Sequence, residues 1–192
     1  MSHLRRPLAL LAALLASGGL AACGNHIDED ARVVHAETEG LYRDIGELKY
    51  QVQVSRQLNP DDVQDRSLLA GVPEAERQLT ADEVWFGVFL RVQNETAEAL
   101  RPSDDIKIID SQEKTFRPLG LEDSNLFAYR STEPIPAGHI LPPPDAAAYD
   151  TAAQGSMVLF KLTLEALENR PLELEIEGRT TPAQTGIINL DA

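Results

Sequence analysis

The chain of 192 residues carries one cysteine, Cys23. A single cysteine excludes an internal disulfide framework and a zinc cage built on thiolates. Cations are scarce as well: 17 Lys and Arg stand against 31 Asp and Glu, a formal net charge of −14. That balance argues against neutralising a phosphate backbone, so nucleic acid is not an expected partner. Beyond residue 22 no apolar run reaches the roughly 18 residues a bilayer-spanning helix needs. A nucleophile elbow, a phosphate-binding glycine loop, a zinc-protease helix and a Cys–His pair are all missing. With no activated nucleophile and no acid–base constellation, the expectation is a non-enzymatic protein with no cofactor. The rest of the composition, 43% hydrophobic and 25% charged, is that of a globular chain long enough for one domain with a real core.

What is present begins with an address. Arg5 and Arg6 form a positive region, and Pro7 to Leu20 is rich in Leu and Ala and closed by Ser17, Gly18 and Gly19. This is the layout of a secretory leader over residues 1–22. It ends in Leu20-Ala21-Ala22-Cys23, which resembles the lipobox of bacterial lipoproteins. Small residues fit a peptidase cleft, and a thiol is the group that can be alkylated to a thioether. The resemblance implies lipidation at Cys23 and a mature protein on the extracytoplasmic face of a bacterial membrane. More than one acyl chain holds a protein stably on a bilayer. The acidic body is repelled by anionic head groups and stands off the surface.

Residues 23–45 read as an acidic flexible tether, with a transient helical turn around Ala31 to Ala36. A spacer of about 22 residues spans roughly 25 Å. His26, Asp28, Asp30 and His35 carry donor atoms suited to a cation. The run lacks the glycine and distal glutamate of a calcium loop, so a solvated linker is the preferred reading and no metal ligand is assigned.

Residues 46–192 read as the folded domain. Leu48, Tyr50, Val52 and Val54 alternate with polar residues, the pattern of a strand with one wet face. Asn59-Pro60-Asp61-Asp62 breaks it, and Arg66 to Val72 is a short second strand candidate. Val84, Phe86, Val88, Leu90 and Val92 face one way, with Trp85 and Phe89 opposite. That predicts a central strand covered on both sides. Ile106–Asp110 and Lys114–Arg117 read as a hairpin-like pair. Residues 118–153 are irregular and proline-rich. Gly155 to Leu164 alternates again. Thr163 caps one helical turn, with Asn169 as a left-handed exit and Pro171 as the stop. Leu172, Leu174 and Ile176 face inward on a last clear strand, and Ile187-Ile188 adds a short edge. Seven or eight short strands with almost no helix point to an antiparallel β-sandwich.

Five segments carry a family resemblance. They are Tyr50 to Val54, Phe86 to Asn94, Ile106 to Asp110, Pro136-Ala137-Gly138 and Gly155 to Leu162. Over residues 47–178 the chain resembles the telokin-like, immunoglobulin-like extracytoplasmic domain of bacterial surface lipoproteins, a family of unknown function. In that family a hydrophobic strand ends in Asn, another ends in Asp before a turn, and a Pro-Gly turn precedes a strand with a central aromatic. Here the Pro-Gly pair is spread over three residues, and a proline-rich insert separates it from the next strand. The resemblance implies an immunoglobulin-like sandwich and an interaction or sensory module outside the membrane.

Its partner would be an envelope protein or an extracellular ligand. The contact candidates are Phe127, Tyr129, Arg130, Pro142, Pro143 and Pro144, because aromatics and Arg dominate interface hot spots and proline lowers the ordering cost. Leu126, Phe127 and Tyr129 read in preference as plugs for the open end of the sandwich. A cation or small-ligand carrier is the second reading. It would use the loop carboxylates Asp61-Asp62, Asp104-Asp105 and Glu122-Asp123, which read alternatively as turn residues and caps. His139 is a lone loop histidine with Glu133 and Asp145 as its near carboxylates, and Trp85 is core packing rather than a ligand platform.

Overall fold

The computed structural model describes residues 32–190. Cys23, His26, Asp28 and Asp30, and with them the expected leader and lipid anchor, lie outside the described residues. The elements run β1 (Val33–Ala36), β2 (Arg43–Ile45), β3 (Leu48–Leu58), α1 (Val63–Leu68), β4 (Glu83–Gln93), β5 (Asp105–Ile109), β6 (Thr115–Phe116), β7 (Ile140–Leu141), β8 (Ser156–Thr163), α2 (Leu164–Glu168), β9 (Leu172–Glu177) and β10 (Thr185–Leu190). A 3-10 turn, Glu74–Glu76, lies between α1 and β4.

Two sheets pack face to face as an all-β sandwich. The first has the order β1-β10-β9-β5-β6, with β1 parallel to β10 and the other pairs antiparallel. The second is β2-β3-β4. Along the far edge of β4, β8 pairs with Glu83–Leu90 and β7 with Val92–Gln93. Alternation delivers Leu172, Leu174 and Ile176 of β9 to the interior, where they meet Phe86, Val88 and Leu90 of β4 and Phe160 of β8. Each of these side chains is fully or almost fully buried, worth about 1.5–3 kcal/mol apiece before the ordering cost is subtracted. The central position of β4 and its double coverage follow the alternation in the sequence: Trp85 and Phe89 are buried on the opposite face.

One residue changes the phase of β3. Val52 pairs with Leu90, but Val54 pairs with Phe89, so Gln53 is the extra residue of a β-bulge. An extra residue sends every later side chain to the other face. Tyr50 and Val52 therefore point into the sandwich, whereas Val54, Arg56 and Leu58 lie on the outer face of the second sheet with Phe89 and Trp85. The sequence placed Val54 inward; the bulge corrects that. Ser55 takes the inward phase and is buried, with Glu39 accepting from its amide and its hydroxyl.

Other expectations are corrected by hydrogen bonding. The strand expected over Arg66 to Val72 overlaps α1 instead. The Asp62 carboxylate accepts from the amides of Gln64 and Asp65, so the residues after Asn59-Pro60 start a helix. The tether expected up to Ile45 enters the sandwich at Val33, and its helical turn is the strand β1, whose Val33-Val34 pair suits extended backbone. β1 also covers β10, so Ile187-Ile188 is interior to its sheet rather than an edge. Thr163 caps α2 as expected, but Asn169 leaves with φ −83° and not left-handed. Asn94 pins the long irregular segment: fully buried, it donates to the carbonyls of Glu98 and Ile135 at 2.7 and 2.8 Å and accepts from the Thr96 amide at 3.0 Å.

Candidate functional site

The outer face of the second sheet is hydrophobic and must be roofed. Leu58, Trp85, Phe89, Met157 and Leu159 form its floor. The roof comes from α1 through Leu68, from Val72 and from loop residues including Leu119, Leu121 and Phe127. The roof is tied down by backbone. The Phe127 carbonyl accepts from Met157 at 2.7 Å, the Tyr129 amide donates to Met157 at 2.8 Å, and the Leu119 amide donates to Leu159 at 2.8 Å. These bonds satisfy the outer edge of β8, which would otherwise offer free strand groups. Asn125 fastens α1 to the same loop by donating to the Leu68 carbonyl at 2.8 Å.

The roof does not close. Between α1 and residues 151–153 a cleft of about 570 Å³ reaches the sheet. Its apolar walls are Val54, Leu68, Phe89, Phe127 and Ala153. Arg56, Gln64 and Ser67 stand around it. This size and lining fall within the range of small-molecule pockets. The guanidinium of Arg56 lies 5.9 Å from the Phe89 ring centre and grips both carboxylate oxygens of Asp65, with Nη1 to Oδ2 at 3.0 Å. Asp65 also accepts from the Asn59 amide at 2.8 Å. The hydrogen bonds from Arg56 hold the buried Asp65 carboxyl below its ordinary value, against the opposing effect of burial. Two residues along β4 from Phe89, Arg91 stacks on Tyr149, its guanidinium carbon 5.2 Å from the ring centre.

A smaller hollow of about 230 Å³ lies over Ser103, Tyr129 and Arg130. The Ser103 amide donates to the Tyr50 hydroxyl at 2.8 Å, and the Tyr129 hydroxyl donates to the Ser103 carbonyl at 2.9 Å. Burial pushes the Tyr50 phenol up to about 12 and raises Tyr129 well above its ordinary value. Two phenols held neutral make this a structural lock between loop and core.

The contact residues read from the sequence are not gathered on one face. Phe127 lines the larger cleft and Tyr129 the smaller hollow. Arg130 is spent on the loop itself, donating to the carbonyls of Leu121, Glu122 and Asn125. Pro142 is buried, while Pro143 and Pro144 are exposed. Phe127 and Tyr129 thus serve as plugs, and Leu126 is exposed. The loop carboxylates are largely occupied. Asp62 caps α1, Asp104 pairs with Arg179 at 2.8 Å, Asp105 pairs with Arg117, and Asp123 lies 3.6 Å from Arg130. Among the described residues no three His, Cys, Asp or Glu side chains gather as a metal site. His139 sits exposed on its turn with Nδ1 2.8 Å from the Ala137 carbonyl. His35 is exposed on β1. Trp85 is 4% exposed and packed in the outer floor, beneath Lys161 at 5.4 Å. The sequence reading missed Arg56, Arg91 and Tyr149. Arg91 was open to it, as a cation on the same face of a central strand as Trp85 and Phe89.

No family model matches the chain, and no curated protein matches its sequence. Among solved structures it is similar to a functionally unknown protein from Listeria monocytogenes EGD-e. The TM-score is 0.51 at 10% identity, covering 81% of this chain and 83% of that one. An uncharacterized β-sandwich protein from Clostridium difficile 630 gives a TM-score of 0.48 at 10% identity, covering 85% and 97%. At such identity the first likeness shows a shared fold alone.

Proposed function

We propose that this chain is a lipid-anchored, non-enzymatic binding module on the extracytoplasmic face of a bacterial membrane, of the telokin-like, immunoglobulin-like kind. Cys23 is its anchor, and the roof over the second sheet is its binding face. The observation that carries the binding face is the open cleft. A sandwich that needed only stability would close this roof over the partly exposed Val54, Phe127 and Ala153, because exposed apolar surface costs about 25 cal/mol per Å². An unclosed apolar cleft with polar residues around it is the default binding-site signature. An envelope protein or an extracellular ligand would enter there, and Phe127 is the residue of the expected contact set that it would touch. The size of the cleft also favours a second reading, a small-ligand carrier.

The anchor is tested by fractionation. Cys23→Ala should move the protein from membranes to the soluble fraction after a salt wash, with its melting transition intact. A folded Cys23→Ala protein from which residues 1–22 have been cut and which still stays with membranes would remove the anchor from the account. Replacing residues 126–145 by a linker would be a poor test of the face, because the backbone of Phe127 and Tyr129 completes the edge of β8.

A further inference from the structure

We infer that the cleft over the second sheet takes a small amphiphile with a carboxylate head, its apolar part against Val54, Phe127 and Ala153 and its head on Arg91. The inference rests on the reading of this cleft as the binding face and adds the chemistry of what enters. Arg91 is an anomaly among the partly buried cations of the described residues. Lys49, Lys107 and Lys161 have carboxylate partners, as do Arg56 and Arg130, and Arg43 donates to backbone carbonyls. Arg91 has no hydrogen bond and no ion pair; its Nε is buried without a partner, and its one contact of this kind is the face of Tyr149. A guanidinium half removed from water with no acceptor is costly. In a chain with 31 acidic residues, a carboxylate partner was available in composition and is not supplied in the fold.

The position of Arg91 links it to the cleft by two routes. Phe89 is in the wall and Arg91 is two residues farther along β4 on the same face, about 7 Å away. Thr151 lines the cleft and Tyr149, two residues before it, is the ring stacked on Arg91. Strand and loop therefore both run from the apolar cleft to the unpaired cation. Arg56 is closer to the cleft but is neutralised by its two-pronged grip on Asp65. The cation left without a partner, Arg91, lies at the end toward Tyr149, and it selects an anionic head. A guanidinium binds a carboxylate through paired, charge-assisted hydrogen bonds.

The test uses dodecanoate and dodecanol, which share a chain and differ in the head. The full chain carrying Cys23→Ala is titrated below the micelle concentration, so that neither detergent nor the protein's own acyl chains compete. Dodecanoate should bind saturably, raise the melting temperature, and bind at least tenfold more tightly than dodecanol. Arg91→Gln should bring dodecanoate down to the affinity of dodecanol and leave dodecanol unchanged. Ser67→Trp, placed on the exposed side of α1 to fill the cleft, should weaken both. Arg91→Met repeats the charge test should Arg91→Gln fail to fold. Equal binding of acid and alcohol, or dodecanoate binding indifferent to Arg91, would overturn the inference. So would the absence of saturable binding, or preference for an apolar peptide over either amphiphile. None of these outcomes changes the fractionation of Cys23→Ala, so the anchor and the ligand chemistry fail separately.

Discussion

Gly186 of β10 leaves the space that Ile45 of β2 fills. A Cβ built on Gly186 would stand 2.2 Å from Ile45 Cδ1 and 2.6 Å from Cγ1. Both residues are buried, Ile45 at 1% exposure. The pair joins the two sheets at one end of the sandwich, where the strand before β3 meets the last strand of the chain. Gly186→Ala should destabilise by about 1–3 kcal/mol through overpacking. In the double variant with Ile45→Ala the alanine gains room, so the two losses should sum to less than their separate values. Denaturant midpoints of the four proteins read this coupling, and strict additivity would show that the contact is relieved elsewhere.

Asp65 should give acid stability a signature. Its carboxyl is held below the ordinary value near 3.8, first by the hydrogen bonds from Arg56. A depressed folded value stabilises above the unfolded value and is lost as pH falls through the folded one. Asp65→Asn should therefore cost about 1–3 kcal/mol at neutral pH. The gap to wild type should hold down to about pH 4 and close below it. Melting temperatures across pH 2–7 measure the gap, and a gap that persists unchanged at pH 2 would show that charge is not its source.

The two buried phenols give an alkaline counterpart. Tyr50 is raised to about 12, chiefly by burial, and Tyr129 is raised well above its ordinary value by burial and by Tyr50 beside it. Here the folded chain binds the proton more tightly than the unfolded one. The stabilisation is complete below pH 10 and drains away as pH rises toward 12. Tyr50→Phe should lower stability at pH 7 by about 1–3 kcal/mol, since the buried Ser103 amide loses its acceptor. It should also flatten the alkaline fall and remove phenolate absorbance that appears in the folded protein only near pH 12. Absorbance from Tyr50 at pH 10 in the folded chain would contradict the lock.

Gln53 should tolerate deletion. Removing it closes the bulge and sets Val54 directly after Val52 and still opposite Phe89, so Val54, Arg56 and Leu58 keep the outer phase and Arg56 stays beside Asp65. The deletion should cost no more than about 1 kcal/mol. Gln53→Ala keeps the extra residue and should stay within about 0.5 kcal/mol of wild type. Unfolding curves for the two variants decide, and a deletion that costs more than about 3 kcal/mol would show that the outer phase of β3 depends on the extra residue.

Elements with long regular alternation were legible from residue types alone. β4 with Val84 to Val92, β9 with Leu172 to Ile176 and the capped turn at Thr163 each bury what their period says they bury. Short-range competition was not legible. Asp62 reads equally as a strand-breaking turn residue and as a helix cap, and only its bonds to Gln64 and Asp65 decide. The bulge at Gln53 leaves the even-numbered pattern of Leu48, Tyr50, Val52 and Val54 intact in sequence while reversing Val54 in space. β1 was hidden because its partner β10 lies about 150 residues away, and acidic residues flank its four residues on both sides. For the site, Phe127 was found by its aromatic character. The cleft it lines depends on the bulge, on α1 and on residues 151–153, which meet only in the folded chain.

The central claim is that the roof over the second sheet is the face that binds. Photo-reactive residues placed one at a time at Ala152, beside the cleft, and at Glu173, on the outer face of the first sheet, test it in living cells. The account predicts a discrete adduct from Ala152 that Ser67→Trp abolishes, and none from Glu173. An adduct of equal yield from Glu173, or one from Ala152 that survives the filled cleft, would contradict it.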